Sequence, residues 1–198
     1  MKISNINIKM HVFLLCGYKR SGKDTFAKYV ESKYDYKHLK ISHKLKDVLK
    51  VLFNFSEEQL EGSLKDTIDS RWKITPREAM IFVGTDMFQY KITDLLPKID
   101  RNFWIENVVD EIVRIKDVDS NVVISDLRFD HELSRLLQLF KSEKISYTIV
   151  KIINPNLQLY YDKTTFQSET EHLNFPFDVI LTNDKIEKFY DEIDTIVT

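Results

Sequence analysis

The stretch Gly17-Tyr18-Lys19-Arg20-Ser21-Gly22-Lys23-Asp24-Thr25 decides the fold of this chain, and it directly follows the apolar run 11–16. Its glycines and lysine have the spacing Gly-x-x-x-x-Gly-Lys. Between a strand and a helix, such a loop lets backbone N–H groups and the helix N-terminus hold a polyphosphate. Asp24 stands where Ser or Thr usually follows the lysine, and the hydroxyl comes one residue later, at Thr25. The pattern predicts a phosphate-binding loop, with an ordinary surface turn as the alternative.

The composition limits the classes of protein to consider. A length of 198 residues suits one α/β domain with a sizeable core. The formal net charge of −2 gives no general attraction for nucleic acid or an anionic membrane. The one cysteine, Cys16, lies in an apolar strand, so we expect a core residue in a reducing compartment. The polar first ten residues and the absence of an apolar run of ~20 residues favour a soluble, cytoplasmic protein.

The hydrophobic pattern alternates between strands and helices along the chain. Strands are expected at 11–16, 38–42, 121–125, 147–153 and 177–181. Helices are expected at 22–33, 45–52, 79–90, 103–116, after Asp130 as the capping residue, and from Ile186 onward. Apolar strands without alternation, separated by helices, indicate a parallel sheet covered on both faces. We therefore predict a P-loop NTPase-type three-layer α/β/α fold around a five-stranded parallel sheet.

No linker, repeat or low-complexity tract divides the sequence, so residues 1–198 are expected to form one domain. A helical insertion at about 54–118 separates the second and third strands, and a short helix with a surface loop is expected within 56–74. Inside the insertion, Thr75-Pro76-Arg77-Glu78 has the form of a capped helix start with proline at the first helical position. A lid-like segment is expected at about 154–172, after the fourth strand.

Polar segments of this chain follow the predicted strands at their carboxyl ends, where parallel sheets bind ligands. These segments are the phosphate loop, 42–46, 125–128 and 154–172. Asp126 ends the third strand, as does the acidic residue that holds water on Mg²⁺ in P-loop enzymes. Arg128 follows, with a planar guanidinium suited to a phosphoryl oxygen, although an Asp126–Arg128 ion pair is the structural alternative. Glu132 is expected to pair with Arg128 or with the start of the next helix.

The charges near the loop and on the insertion helix predict specific roles. Lys23 should reach the β- and γ-phosphates, and Thr25 should bond a phosphate from the first helical turn. Asp24 is an anion, so we expect it to cap the helix or to orient water around Mg²⁺, with a simple helix-start residue as the alternative. Arg77 lies in the first turn of its helix, where a cation opposes the dipole. It therefore needs an anionic partner, for which the candidates are Glu78, Asp69 and a bound phosphate.

Other side chains give weaker signals. The aromatic candidates to stack on a nucleobase, with core packing as the alternative, are Trp72, Phe88, Phe103 and Trp104. The five histidines show no metal-ligand spacing, and neither a Cys–His pair nor a serine elbow is present. Covalent catalysis is therefore not predicted.

Together these motifs resemble the deoxynucleoside monophosphate kinase family of viruses and phages, a branch of the P-loop kinases. Besides the phosphate loop, the matching pieces are Leu45-Lys46, Thr75-Pro76-Arg77-Glu78, Gly84-Thr85-Asp86, Asn102-Phe103-Trp104, Ser125-Asp126-Leu127-Arg128-Phe129, Ser168-Glu169 and residues 178–184. The resemblance implies transfer of the ATP γ-phosphate, with Mg²⁺, to the 5′-phosphate of a deoxynucleotide. It implies that the insertion forms the monophosphate-binding part. A homodimer is common in the family, and no nucleic-acid or membrane partner is expected.

The resemblance also implies residue roles. Lys23, Asp126 and Arg128 would be catalytic, with Asp126 acting on Mg²⁺ through water. The donor nucleotide would be held by Gly17, Lys19, Arg20, Ser21, Gly22, Lys23, Asp24, Thr25 and Asn183. The acceptor would be held by Ser42, Lys46, Trp72, Arg77, Thr85, Asp86, Trp104, Arg128 and Glu169.

Two positions depart from the family pattern. Gln89 stands where many members have an arginine, and segment 154–172 carries only Lys163 and His172 as basic residues. The lid arginine is therefore either absent or supplied from elsewhere, for which the candidates are Arg20 and Arg135.

Three other functions remain open. One is another small-molecule P-loop kinase, with dephospho-coenzyme A or phosphomevalonate as acceptor, although the Thr-Pro-Arg and Gly-Thr-Asp segments favour nucleotides. A second is a nucleotide-hydrolysing switch or nucleic-acid motor, for which this charge balance offers no basic groove. A third is a catalytically inactive regulatory relative.

Overall fold

The structure, a computed structural model, describes residues 10–116, 120–157 and 171–197. Within these ranges the framework is one sheet of five strands: β1 (His11–Cys16), β2 (Lys37–Leu39), β3 (Val122–Ile124), β4 (Ser146–Ile153) and β5 (Val179–Thr182). All strand pairs are parallel, and the order across the sheet is β2-β3-β1-β4-β5. The predicted five-stranded parallel sheet is confirmed.

Helices connect the strands. The α-helices are α1 (Lys23–Tyr34), α2 (Ser42–Phe53), α3 (Glu57–Leu60), α4 (Pro76–Ile81), α5 (Ile92–Leu95), α6 (Phe103–Ile115), α7 (Asp130–Glu143) and α8 (Ile186–Val197). A π-helix (Phe82–Lys91) joins α4 to α5, and 3-10 turns lie at Ser63–Asp66, Pro155–Leu157 and Glu171–Asn174. The alternation of strands with helices follows the predicted order.

Both faces of the sheet are covered. On one face, Phe13 and Leu15 of β1 share a buried apolar cluster with α1 and α8, which contribute Phe26 and Phe189. On the other face, where the alternate residues of each strand point, Phe140 of α7 stacks on Tyr147 at 5.4 Å. This arrangement is the predicted three-layer α/β/α fold.

Cys16 ends β1 and is a free, buried cysteine. Burial raises the pKa of its thiol to about 12, although the charges of Lys23 and Lys151 act in the opposite direction. The thiol is therefore protonated at neutral pH, and the predicted core role is confirmed.

The chain divides into two compact units. The first comprises Met1–Lys40 and Val109–Thr198 and carries the whole sheet. The second, Ile41–Val108, consists of helices and turns and includes most of the insertion expected at about 54–118. The short helix and loop expected within 56–74 are present as α3 and the 3-10 turn at Ser63–Asp66.

Four predicted element boundaries were wrong. β2 ends at Leu39, and Ser42 opens α2, because the buried Leu45 and Leu49 of that segment have helical spacing. Asp130 lies inside the first turn of α7, and the residue before it holds the cap position. β5 begins at Val179 instead of 177. The helix predicted at 79–90 widens into the π-helix after Ile81.

Gly84 gives a physical reason for the change to a π-helix. Its carbonyl oxygen accepts a hydrogen bond from Trp104 Nε1 at 2.9 Å, an interaction from outside that competes with the helix's own ladder. A Cβ at Gly84 would lie 2.5 Å from Leu45 Cδ2, so the bare backbone also allows Leu45 to pack there. π-helical turns are frequent at functional sites.

Candidate active site

The loop after β1 owes its path to two glycines. Gly17 has φ 143° and Gly22 has φ 119°, conformations that side chains disfavour. A Cβ at Gly17 would overlap the carbonyl oxygen of Ile152 in β4, and a Cβ at Gly22 would overlap the carboxamide of Asn183. Strand β4 and the residue after β5 therefore fix the path of the loop. Only glycine fits at positions 17 and 22.

Asn183 ties the loop to the end of β5. Its backbone N–H donates to Ile153 O at 2.8 Å, and its Nδ2 donates to Ser21 O at 3.0 Å. Ser21 is fully buried, and the described part of the chain offers its Oγ no hydrogen-bond partner. Ser21 and Asn183, both predicted to bind the donor nucleotide, are therefore in contact although 162 positions separate them.

Lys23 begins α1 and turns back onto the loop. Its Nζ donates to the carbonyl oxygens of Gly17 at 2.5 Å and Tyr18 at 2.8 Å. Gly22 is the N-cap residue, and no side chain caps the helix. A lysine ammonium and an N-terminus without a capping side chain together favour an anion at this place.

Asp24 is exposed and forms an ion pair with Lys40, Nζ to Oδ1, at 2.8 Å. Burial of the carboxyl alone would raise its pKa, but the hydrogen bond and charge of Lys40, with the charges of His38 and Lys23, lower it. Because the side chain does not cap α1, that alternative for Asp24 was wrong. Thr25 lies half-buried in the same first turn.

Asp126 and the phosphate loop follow neighbouring strands, β3 and β1, at the carboxyl ends of both strands. Leu14 of β1 is paired with Ile124 of β3, so Gly17 and Asp126 lie three and two residues beyond that pair. Ser125, the residue before Asp126, is buried and bonds His38 through Oγ and Nε2 at 2.6 Å. Burial and the charge of Lys40 lower the pKa of His38, against the opposing charges of Asp24 and Asp126. The predicted meeting of these two segments is present.

Glu132 fixes the segment that carries Arg128. It is buried in the first turn of α7, and its Oε2 accepts the backbone N–H groups of Arg128 and Phe129, both at 3.1 Å. Burial raises the pKa of Glu132 to about 8, and the Asp126 charge acts in the same direction, whereas these hydrogen bonds and Arg128 act against it. Of the two expected partners of Glu132, the start of the helix is the one confirmed.

The raised pKa of Glu132 gives a pH-dependent prediction. The folded protein keeps a proton on this carboxyl that the unfolded chain releases above its ordinary pKa of 4.5. The stability contributed by neutral Glu132 is therefore fully present below pH 4.5 and is lost as the pH rises toward 8. Glu132→Gln imitates the neutral form. We therefore expect its free energy of unfolding, relative to that of the wild type, to increase as the pH rises from 5 to 8.

The measurement for this prediction is urea denaturation of both proteins at several pH values. Glu187→Gln, in an exposed position of α8, is the control and should follow the wild type throughout. A difference between Glu132→Gln and the wild type that does not change with pH would contradict the prediction.

His172 lies beside the phosphate loop. It is buried, and its ring packs edge-on against Tyr18, with 5.7 Å between the centroids. Neither ring nitrogen has a hydrogen-bond partner in the described ranges. Burial lowers the pKa of His172 to about 4, and the charges of Lys23, Arg128 and Lys151 add to this effect. This edge of the sheet therefore concentrates positive charge although the whole chain is slightly acidic.

In the second unit, Arg77 is engaged with a neighbouring acid. The predicted capping box is present, because Thr75 Oγ1 accepts from Glu78 N at 3.1 Å and Glu78 Oε2 accepts from Thr75 N at 2.7 Å. Arg77 donates from Nε and Nη2 to the two carboxylate oxygens of Asp66. The expected anionic partner exists, but it is neither Glu78 nor Asp69, the two acidic side chains named for it. Asp69 is instead bound by Arg71.

Other residues that were predicted to bind the acceptor nucleotide also have packing roles. Lys46 is buried and pairs with Glu61 at 2.5 Å. The indole N–H of Trp72 donates to Phe53 O at 2.8 Å, and Trp104 is buried with its own N–H on Gly84 O. Ser42 begins α2, while Thr85 and the exposed Asp86 lie in the π-helix. Glu169 lies outside the described residues.

No helix in the described ranges has both the length and the apolar character needed to cross a bilayer. No three His, Cys, Asp or Glu side chains there are grouped as ligands for a metal.

Comparison with known proteins supports one family. The family model for deoxynucleotide monophosphate kinase matches residues 11–70. A protein of Acanthamoeba polyphaga mimivirus, whose name places it among the deoxynucleotide monophosphate kinases, is 32% identical over 191 residues, with 90% of this chain and 92% of the relative covered. The chain belongs to the deoxynucleotide monophosphate kinase family. Membership in this kinase family makes phosphoryl transfer the class of reaction.

Solved structures share the fold of this kinase family member at low sequence identity. APS kinase from Mycobacterium tuberculosis, in complex with AMPPNP and APS, is 14% identical, with a TM-score of 0.53 and coverage of 96% of this chain and 98% of that chain. The tunicamycin resistance protein of Deinococcus radiodurans is 11% identical, with a TM-score of 0.50 and 95% of each chain covered. These likenesses concern the fold alone.

Proposed function

We propose that this protein transfers the γ-phosphate of ATP to the 5′-phosphate of a deoxynucleoside monophosphate. An oxygen of the acceptor phosphate forms a bond to the γ-phosphorus, and the bond from that phosphorus to the β–γ bridging oxygen breaks. The products are a deoxynucleoside diphosphate and ADP. The supporting observation is the phosphate loop beside Asp126 at one sheet edge, in a chain of the deoxynucleotide monophosphate kinase family.

The loop provides the groups that a triphosphate needs. Lys23 Nζ bonds two neutral carbonyl oxygens of the loop, and a β- or γ-phosphate oxygen offers it a stronger, charge-assisted partner. The N–H groups at the start of α1 and the Thr25 hydroxyl complete the donor site. When bound, Mg²⁺ neutralises phosphate charge, and Asp126 would hold it through water.

The acceptor requires alignment more than proton removal. Its phosphate is already ionised at neutral pH, so the reaction needs no strong general base. Arg128, whose backbone Glu132 holds in place, would neutralise charge on the transferred group. Catalysis then comes from positioning two anions against fixed positive charge.

A coupled assay of ADP formation tests this proposal. We expect ADP production with ATP and Mg²⁺ to depend on adding a deoxynucleoside monophosphate, tested one at a time with the ribonucleotides beside them. Dephospho-coenzyme A, phosphomevalonate and single-stranded DNA should leave the rate at the background level. ADP formed at the same rate without any acceptor would indicate a nucleotide-hydrolysing switch and refute the proposal.

A further inference from the structure

The second unit contains buried polar atoms that lack hydrogen-bond partners in the described part of the chain. They are Gln89 Oε1, Arg101 Nε, Arg101 Nη2 and Asn102 Oδ1. A buried donor or acceptor left unpaired destabilises the folded protein. Buried polar groups in folded proteins are nearly always bonded, so a group of this kind indicates that something else supplies the partners.

Gln89 lies in the π-helix, whereas Arg101 and Asn102 directly precede α6. The guanidinium of Arg101 lies over the ring of Tyr90, with Cζ 5.0 Å from the centroid. Phe88 contacts the ring of Phe103, with 4.5 Å between centroids. Gln89 lies between Phe88 and Tyr90 in the sequence, and its side chain is only 4% exposed. Gln89 therefore lies one position along the π-helix from the tyrosine that contacts Arg101.

The two unpartnered donors of Arg101 form one edge of its guanidinium. Nε–H and Nη2–H are side by side, and their spacing matches two oxygens of a carboxylate or phosphate. Arg77 directs this edge at Asp66, and Arg71 directs it at Asp69. Of the three arginines in the second unit, Arg101 alone has no such partner among the described residues.

The surroundings of Arg101 prepare this edge for an incoming anion. The contact with Tyr90 restricts the guanidinium, so less side-chain entropy is lost on binding. The adjacent acid, Asp100, accepts from Asn102 N at 2.7 Å and from Asn102 Nδ2 at 3.1 Å. The neighbouring carboxylate is therefore engaged with Asn102.

We infer that Arg101 binds the acceptor phosphate in the second unit, with its Nε–Nη2 edge on two oxygens of the 5′-phosphate. The buried carboxamide of Gln89 takes a hydroxyl or amine donor of the nucleoside. This inference rests on the proposed function and deepens it. It assigns to Arg101 the role that the sequence analysis gave to Arg77.

Arg101→Lys tests the inference because lysine keeps the positive charge but lacks the two-pronged edge. We expect the KM for the deoxynucleoside monophosphate to rise about 10- to 100-fold, while the KM for ATP stays within about twofold. Arg114→Lys, at an exposed position of α6, is the matched control and should behave as the wild type. An unchanged acceptor KM in Arg101→Lys would overturn the inference.

Calorimetry without ATP separates binding from turnover. We expect Arg101→Lys to bind the accepted deoxynucleoside monophosphate more weakly than Arg77→Lys does, and the reverse order would overturn the inference. Gln89→Met is a second variant that removes a buried unpaired atom, so it should fold and should raise the acceptor KM. If the wild type phosphorylates no deoxynucleoside monophosphate, the proposed function fails. If it does and neither Arg101→Lys nor Gln89→Met changes the acceptor KM, this inference alone fails.

Discussion

Lys23→Met should lower kcat for phosphoryl transfer by about 10³-fold, because one preorganised charge on the transferred group typically contributes that much. Methionine keeps the length and the apolar stem of lysine, and the two hydrogen bonds lost are half-buried ones from Nζ to loop carbonyls. Each such bond contributes only about 1 kcal/mol net to stability. We therefore expect the urea midpoint to change little. The measurements are the coupled assay and urea denaturation followed by circular dichroism.

Lys28→Met is the matched control for Lys23→Met. Lys28 is an exposed lysine of the same helix, and its replacement should leave kcat at the wild-type value. Activity above a tenth of wild type in Lys23→Met would show that the reacting phosphates are not held by this loop.

Gly17→Ala should reduce the free energy of unfolding by about 3 kcal/mol and abolish ATP binding. The new methyl group meets a conformation at φ 143° and the backbone carbonyl of Ile152. Neither obstacle is a movable side-chain end, because β4 is hydrogen-bonded to β1 up to the Cys16–Lys151 pair. Urea denaturation and calorimetric titration with ATP measure the two effects.

Gly62→Ala provides the comparison for Gly17→Ala. Gly62 has φ −97°, and its added Cβ would meet only the carboxylate end of Glu58. This flexible side-chain end can shift if it exchanges its exposed hydrogen bonds from Ser63 for water. We expect a loss of less than about 1 kcal/mol. Equal losses at the two glycines would contradict the view that β4 dictates the shape of the loop.

Local patterns were readable from the sequence because the interacting residues are close neighbours. The Gly17–Lys23 loop and the Thr75–Glu78 capping box were both predicted on spacing alone. The contact between Asn183 and Ser21 was harder to predict, because the two residues lie at opposite ends of the chain. Parallel strand order depends on such long-range packing, which no single window of sequence contains.

The sequence did not reveal roles that depend on which group pairs with a charged side chain. Arg77 looked suited to phosphate, but Asp66, eleven residues earlier, holds its guanidinium. Arg101 gave no signal, because the absence of a partner is visible only once the chain is folded. His172 was noted only as a basic residue of the lid, and its burial against Tyr18 follows from tertiary contacts. Glu132 was readable, because its position three residues after the cap predicts a bond to the start of the helix.

The placement of β1 between β3 and β4 has a consequence for synthesis on the ribosome. Val12 pairs with Val122 and Tyr147, so the central strand emerges long before either neighbour has been translated. Residues 41–108, which form a continuous unit, leave the exit tunnel complete in the meantime. Contacts so distant along the chain close slowly and leave an apolar nascent segment exposed. The apolar strand β1 therefore stays without both of its sheet neighbours until residue 153 has been added.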